Sequence, residues 1–119
     1  MAERYFDVRE ARELIPWLQV VLDSIQAIVT DIDRVMGDVR ANALQLKSNG
    51  GSHAEEGMGD LQATRQDLEN RLNGLVASIA EKGILIKSIE SGLVDFPALM
   101  GEREVYLCWM AGETELKFW

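Results

Sequence analysis

The sequence is poor in the residues that build metal sites and disulfides. It contains one cysteine and one histidine among 119 residues. One cysteine excludes a disulfide framework and a multi-cysteine metal site, and one histidine excludes a site that needs two imidazoles from the same chain.

Long apolar runs and basic segments are also missing. No stretch reaches the roughly 18 uninterrupted apolar residues of a membrane span, and residues 1–6 do not have the basic start and apolar run of a signal peptide. We therefore expect a cytoplasmic location, where a lone thiol stays reduced. The 12 Lys and Arg against 20 Asp and Glu give a net charge of −8, which repels phosphate backbones and anionic lipid. We expect neither nucleic acid nor a membrane as a partner.

What the sequence does contain is a long heptad pattern. From Val8 to Val39 the apolar residues recur at steps of three and four, and the pattern can continue to Leu46. This spacing predicts one helix over residues 8–46. Asp7 and Glu10 form a capping-box pattern at its start, and Pro16 predicts a bend in its first turns.

A second helix is predicted after a polar break at residues 47–52, which contains two adjacent glycines. It begins either at Ser52 or after Gly59 at Asp60, and we favour a frayed start near Ala54. It stops at Gly83. The two helices predict an antiparallel hairpin over about residues 7–82. A second apolar column beside the heptad stripe is more than one partner helix can cover, so we expect a second copy of the chain to cover it. The predicted oligomer interface consists of Leu14, Val21, Ile25, Ile28, Ile32 and Val35.

After Gly83 the apolar period changes from 3.6 to 2, which is typical of strands. We predict a strand over residues 84–89, a short strand over 93–96 that Pro97 stops, a loop over 98–102, a strand over 105–110, and a return strand over 115–119. The fold class is therefore α+β, a long antiparallel two-helix hairpin followed by a small three- to four-stranded antiparallel sheet. We expect a single domain over residues 1–119, with the sheet over about 84–119.

Charged residues flank these apolar strands. The functional interpretation is a polar site at the helix–sheet junction for a small anion or a metal, and the alternative is structural ion pairing. The candidate binding residues are Lys87, Glu90, Asp95, Arg103 and Glu113. Cys108 would need His53 as its base, but His53 is predicted in the loop at the far end of the hairpin. We therefore assign no catalytic residue, and the sequence identifies no cofactor.

Three segments resemble a known family. They are residues 83–87 (GILIK), residues 92–97 (GLVDFP) and residues 103–109 (REVYLCW), together with Tyr5-Phe6-Asp7 ahead of the first helix. They are similar to an uncharacterised bacterial family catalogued as domain of unknown function 2203. The resemblance covers essentially the whole chain and implies a helical hairpin with a small sheet, without an established activity.

Two functions are consistent with these features. The first is a self-associating interaction module, because the apolar surface of the first helix exceeds what one partner helix can bury. We expect a homodimer or a higher homo-oligomer, whose exposed sheet or helix faces bind another protein. The second is a small-ligand or metal-binding protein, with or without catalytic activity, that has a polar site at the helix–sheet junction. No nucleophile elbow or carboxylate pair in the sequence supports a hydrolase or transferase.

Overall fold

The computed structural model describes residues 4–49, 52–113 and 115–118, without the side chains of residues 45–49, 52–56 and 118. Two helices, α1 (Val8–Asn49) and α2 (Ser52–Glu81), precede four strands. The strands are β1 (Leu85–Ser88), β2 (Leu93–Met100), β3 (Arg103–Met110) and β4 (Lys117–Phe118). They form one antiparallel sheet in the order β1-β2-β3-β4. The predicted α+β class, with a helical hairpin followed by an antiparallel sheet, is confirmed.

The chain divides into two compact units that share both helices. The first consists of Met1–Gln26 and Leu75–Trp119, and therefore contains the whole sheet. The second consists of Ala27–Gly74, in which segments of α1 and α2 bury Ile28, Val35 and Leu68.

The capping box predicted for the first helix is present. The backbone N–H of Glu10 donates to Asp7 Oδ1 at 2.7 Å, and the N–H of Asp7 donates to Glu10 Oε1 at 3.3 Å. These two bonds satisfy amide groups that have no partner within the helix, so the helix begins where the sequence predicts. It continues through Pro16 and extends beyond the predicted end at residue 46.

The region between the helices differs in part from the prediction. α2 begins at Ser52 rather than near Ala54, so the backbone of His53 belongs to the first turn of α2 and not to a loop. Gly50 and Gly51, at the centre of the predicted break, lie outside the described residues. α1 also holds an 18-residue window of mean hydropathy 1.2, enough by length and composition to cross a membrane. Core helices of soluble proteins share this property, so it assigns no location.

The inner face of the sheet forms the core of the first unit. β2 and β3 pair in register over eight residues, which directs Val94, Phe96, Leu107 and Trp109 to this face. These four side chains are at most 1% exposed. Phe6 packs edge-to-face on Phe96, with 5.2 Å between the ring centroids.

The N-terminal half of α1 closes this core. The side chains of Leu18, Leu22 and Ile25 have no exposed surface. Two hydrogen bonds join the helix to turns of the sheet: Gln26 Nε2 donates to the carbonyl oxygen of Glu90 at 3.3 Å, and the N–H of Gly112 donates to Gln19 at 2.9 Å. The helix therefore packs against the sheet within the first unit.

The prediction that Pro97 stops the second strand is wrong. β2 continues to Met100, and β3 begins at Arg103, so the predicted loop over 98–102 shortens to a turn at Gly101. The carbonyl oxygen of Pro97 accepts the N–H of Phe6 at 2.7 Å, on the side of β2 away from β3. In an antiparallel ladder the N and O atoms of one residue point the same way. The missing N–H of Pro97 therefore removes no hydrogen bond to β3.

The apolar stripe of α1 is largely covered by the chain itself. Four of the six residues predicted for an oligomer interface are buried within the single chain, and the other two, Leu14 and Ile32, are half-buried. The buried four are Val21, Ile25, Ile28 and Val35. Val21 and Ile25 are buried in the first unit, which contains the sheet, and Ile28 and Val35 are buried in the second unit, which consists of segments of α1 and α2. Most of the stripe therefore needs no second copy to cover it, and self-association stays a prediction.

Candidate functional site

The sheet has a second face, opposite the inner face, on which buried and exposed side chains are mixed. We call it the outer face. Leu85, Leu99 and Met110 on this face are 43%, 50% and 38% exposed. Its remaining members lie at alternating positions of the strands: Lys87, Leu93, Asp95, Pro97, Glu104, Tyr106 and Cys108. The site described below lies on this face.

A buried carboxylate lies near the middle of the outer face. Asp95 is only 2% exposed, and its Oδ2 atom is 3.6 Å from Nζ of Lys87, whose side chain is half-exposed. The register between β1 and β2 shifts between Ile86 and Ser88, which leaves Lys87 as the extra residue of a bulge. Bulges redirect a side chain locally. Here the bulge brings the ammonium group of β1 to the carboxylate of β2.

Two tyrosines share one carboxylate further along the face. The hydroxyl of Tyr106 donates to Glu104 Oε1 at 2.7 Å, and that of Tyr5 donates to Oε2 at 3.1 Å. The hydrogen bond from Tyr106, more than the one from Tyr5, lowers the pKa of Glu104. The same bond and the negative charge of Glu104 raise the pKa of Tyr106. The carboxylate of Glu104 is thus held ionised and the phenol of Tyr106 is held protonated.

A second ion pair lies beyond the end of β3. Nζ of Lys117 is 3.0 Å from Glu113 Oε2, and the other carboxylate oxygen of Glu113 accepts the N–H of Met110 at 2.8 Å. The hydrogen bond to Lys117 lowers the pKa of Glu113 and raises that of Lys117. Cys108, half-buried, lies between these groups and Asp95, because it pairs with Asp95 on one side and Lys117 on the other.

Of the five predicted binding residues, the structure brings only Lys87 and Asp95 together. Arg103 pairs with Met100 at one end of the β2–β3 ladder, whereas Glu113 follows its other end. Seven residue steps separate these ends, or about 23 Å at roughly 3.3 Å per residue. Glu90 lies in the turn between β1 and β2 and is exposed. The five residues therefore do not meet at one place on the sheet, and their role in binding stays a prediction.

The expected position of the site also needs correction. Asp95 alternates with the buried Val94 and Phe96, so it points to the outer face and away from the helix–sheet junction. Sequence analysis missed Tyr5, Glu104 and Tyr106. The alternation of Glu104 and Tyr106 on one strand could have indicated their shared face. The position of Tyr5 depends on the pairing of Phe6 with Pro97 and has no signal in the sequence.

The described residues contain no group of three His, Cys, Asp or Glu side chains arranged to hold a metal ion. The side chain of His53 is outside the described side chains, so its pairing with Cys108 stays untested. What the outer face offers is hydrogen bonding and ion pairing around apolar side chains, which suits binding.

The comparisons with known proteins give a family and no activity. A family model described as "Uncharacterized conserved protein (DUF2203)" matches residues 4–119. Comparison with curated proteins and with solved structures finds no match for the chain.

Proposed function

Because this chain belongs to the DUF2203 family, whose description states no activity, we propose a function from the outer face itself: the protein is an interaction module that self-associates through this face. The observation that carries the proposal is the exposure of Leu85, Leu99 and Met110 on one side of the sheet. Leu99 and Met110 lie near opposite ends of the β2–β3 ladder and Leu85 lies beside its middle, so apolar side chains are spread along this face and available for contact with another protein surface.

The charges of the outer face support contact with a protein surface. Lys87 pairs with Asp95, Lys117 pairs with Glu113, and two tyrosine hydroxyls donate to Glu104. Covering a charge costs free energy mainly when the charge loses its partner. A docking partner can therefore remove water from this face while each of these charges keeps its partner within the chain.

A second copy is the partner that these features favour. A twofold dimer needs one patch that complements itself, and an apolar face whose charges are paired internally satisfies this condition. The β2–β3 ladder is eight residues long, about 27 Å at roughly 3.4 Å per residue. β1 has four residues and β2 and β3 have eight each, so with strands about 4.8 Å apart the face covers about 330 Å², less than half of what a standard interface buries per partner. We therefore expect a weak dimer that forms at micromolar or higher concentration.

Sedimentation velocity over a concentration series tests the proposal. Leu99→Glu should weaken association at least tenfold, because a carboxylate would be buried in the contact. Val20→Glu is the matched control, since Val20 is a 66% exposed apolar residue on α1 that lies outside the outer face. A wild-type chain that stays monomeric at millimolar concentration, or a control that dissociates the dimer as well as Leu99→Glu does, would refute the proposal.

Ionic strength provides a second readout. Each copy carries a net charge of −8, so the long-range interaction between two copies is repulsive. Salt screens this repulsion, with a Debye length of about 30 Å at 0.01 M and 10 Å at 0.1 M. Apolar self-association should therefore strengthen as salt is added, whereas an interface held by ion pairs between copies would weaken.

The second candidate function, binding of a small ligand, is favoured by one observation. A recess of about 370 Å³ opens on the outer face beside the Lys87–Asp95 pair. The chemistry of this recess is developed in the next subsection.

A further inference from the structure

The recess on the outer face has the size and lining of a small-molecule site. Lys87, Leu93, Asp95 and Tyr106 line it, and its volume is about 370 Å³. Small-molecule pockets are typically about 300–1,000 Å³, with mostly apolar walls and a few polar groups. Here Leu93 and the Tyr106 ring supply the apolar wall, and Asp95 and Lys87 supply the charge.

The chain already places an ammonium group in this recess. Nζ of Lys87 lies 3.6 Å from Asp95 Oδ2 and 5.9 Å from the centroid of the Tyr106 ring. An aromatic face attracts a cation within about 6 Å, and a carboxylate attracts it directly. Asp95 is 2% exposed, so little water screens its interaction with a cation beside it.

Lys87 is loosely held in this position. The distance of 3.6 Å between Nζ and Oδ2 exceeds the 2.7–3.2 Å of a well-formed hydrogen bond. The Lys87 side chain is 51% exposed, and it originates from a bulge near the end of a four-residue strand. Its ammonium group can therefore swing into water and leave its place beside Asp95 to another cation.

We infer that the recess is a binding site for a small primary alkylamine, whose ammonium group replaces that of Lys87 between Asp95 and Tyr106. The alkyl chain of the ligand would contact Leu93 and the Tyr106 ring. A carboxylate ligand is disfavoured, because it would face Asp95 in a chain of net charge −8. This inference does not depend on self-association, because the recess lies within one copy.

The test uses n-butylammonium as the probe, with n-butanol and butyrate as neutral and anionic analogues of the same length. Binding is measured by chemical-shift changes of outer-face amides, at protein concentrations below any observed dimerisation. Wild type should bind n-butylammonium in the millimolar range and should bind both analogues at least tenfold more weakly. A parallel titration with Nα-acetyl-lysine amide distinguishes a free amine from a lysine side chain as the better ligand.

Removal of the competing lysine makes the test decisive. Lys87→Met should bind n-butylammonium at least tenfold more tightly than wild type, and a gain of affinity cannot result from unfolding. Lys117→Met is the matched control, because it removes an ammonium group paired with Glu113 and outside the lining of the recess. Asp95→Asn should lower the affinity at least tenfold, and Tyr106→Leu should lower it severalfold.

The thermal midpoint gives a second readout. In Lys87→Met the buried Asp95 loses its ammonium partner, so n-butylammonium should raise the midpoint of this variant more than it raises that of wild type. Equal affinity of Lys87→Met and wild type for the amine, or equal binding of butyrate and n-butylammonium, would overturn the inference.

Discussion

The contact between Phe6 and Phe96 gives a quantitative test of how the sheet is held. Phe96 has no exposed surface and meets the Phe6 ring at 5.2 Å with an interplanar angle of 83°. Replacing a fully buried phenylalanine by alanine costs about 3–5 kcal/mol, of which an edge-to-face ring pair accounts for about 0.5–1.5 kcal/mol. We therefore expect Phe96→Ala to lower the free energy of unfolding by about 3–5 kcal/mol.

The matched control is Leu99→Ala, three residues further along the same strand. Leu99 is on the outer face and 50% exposed, so its truncation should cost about 1 kcal/mol, roughly half the value of a fully buried leucine. Urea unfolding followed by far-ultraviolet circular dichroism measures both variants at monomeric concentrations. A double-mutant cycle with Phe6→Ala and Phe96→Ala should give a coupling of about 0.5–1.5 kcal/mol. Equal losses for Phe96→Ala and Leu99→Ala would refute the assignment of inner and outer faces.

Three further predictions address the cap, a turn and the tyrosine pair. Asp7→Ala removes the side-chain acceptor of the Glu10 N–H in the first turn of α1, and should lower the free energy of unfolding in urea by about 1 kcal/mol. No measurable loss of stability would contradict the role of the capping box. Both Gly92 and Gly101 have positive φ, so Gly101→Ala should lower the free energy of unfolding by about 1–2 kcal/mol. Gly92→Ala should lower it further, because a Cβ at Gly92 would lie 2.6 Å from the Cβ of Ala111, whereas a Cβ at Gly101 meets nothing within 4 Å. Equal losses would contradict this packing. Glu104→Gln removes the charge that raises the pKa of Tyr106, so an ultraviolet titration should show this phenol ionising closer to its ordinary pKa, and an unchanged titration would contradict the hydrogen bond.

Much of the fold was predictable because it depends on local patterns. The heptad spacing predicts α1, the capping box predicts its first residue, and the change of period after Gly83 predicts strands. Gly83 has a φ of 88°, as a left-handed helix stop requires. The prediction failed at Pro97. Proline usually ends a strand because it has no N–H to donate, but at this position of β2 the ladder with β3 uses no N–H.

The candidate site was predictable only in part. Lys87 and Asp95 were among the predicted binding residues, and the structure places them 3.6 Å apart. Arg103 and Glu113 were grouped with them because all are charged residues near apolar strands. The register between β2 and β3 decides which of these residues lie close together. A single sequence does not determine this register, because it depends on pairing between separate strands.

By itself the sequence determined the helices, the alternation along each strand and the excess of negative charge, because each depends on neighbours within a few residues. The tertiary structure alone decided which faces are covered. In the first unit, the packing of α1 on the inner face buried Val21 and Ile25 of the stripe that was predicted to bind a second copy. On the other side of the sheet, Leu85, Leu99 and Met110 stay exposed. The bulge at Lys87 and the contact of Tyr5 with Glu104 likewise arise from pairing between segments that are far apart in the sequence. Local sequence patterns do not specify such pairing, because it depends on how the whole chain packs.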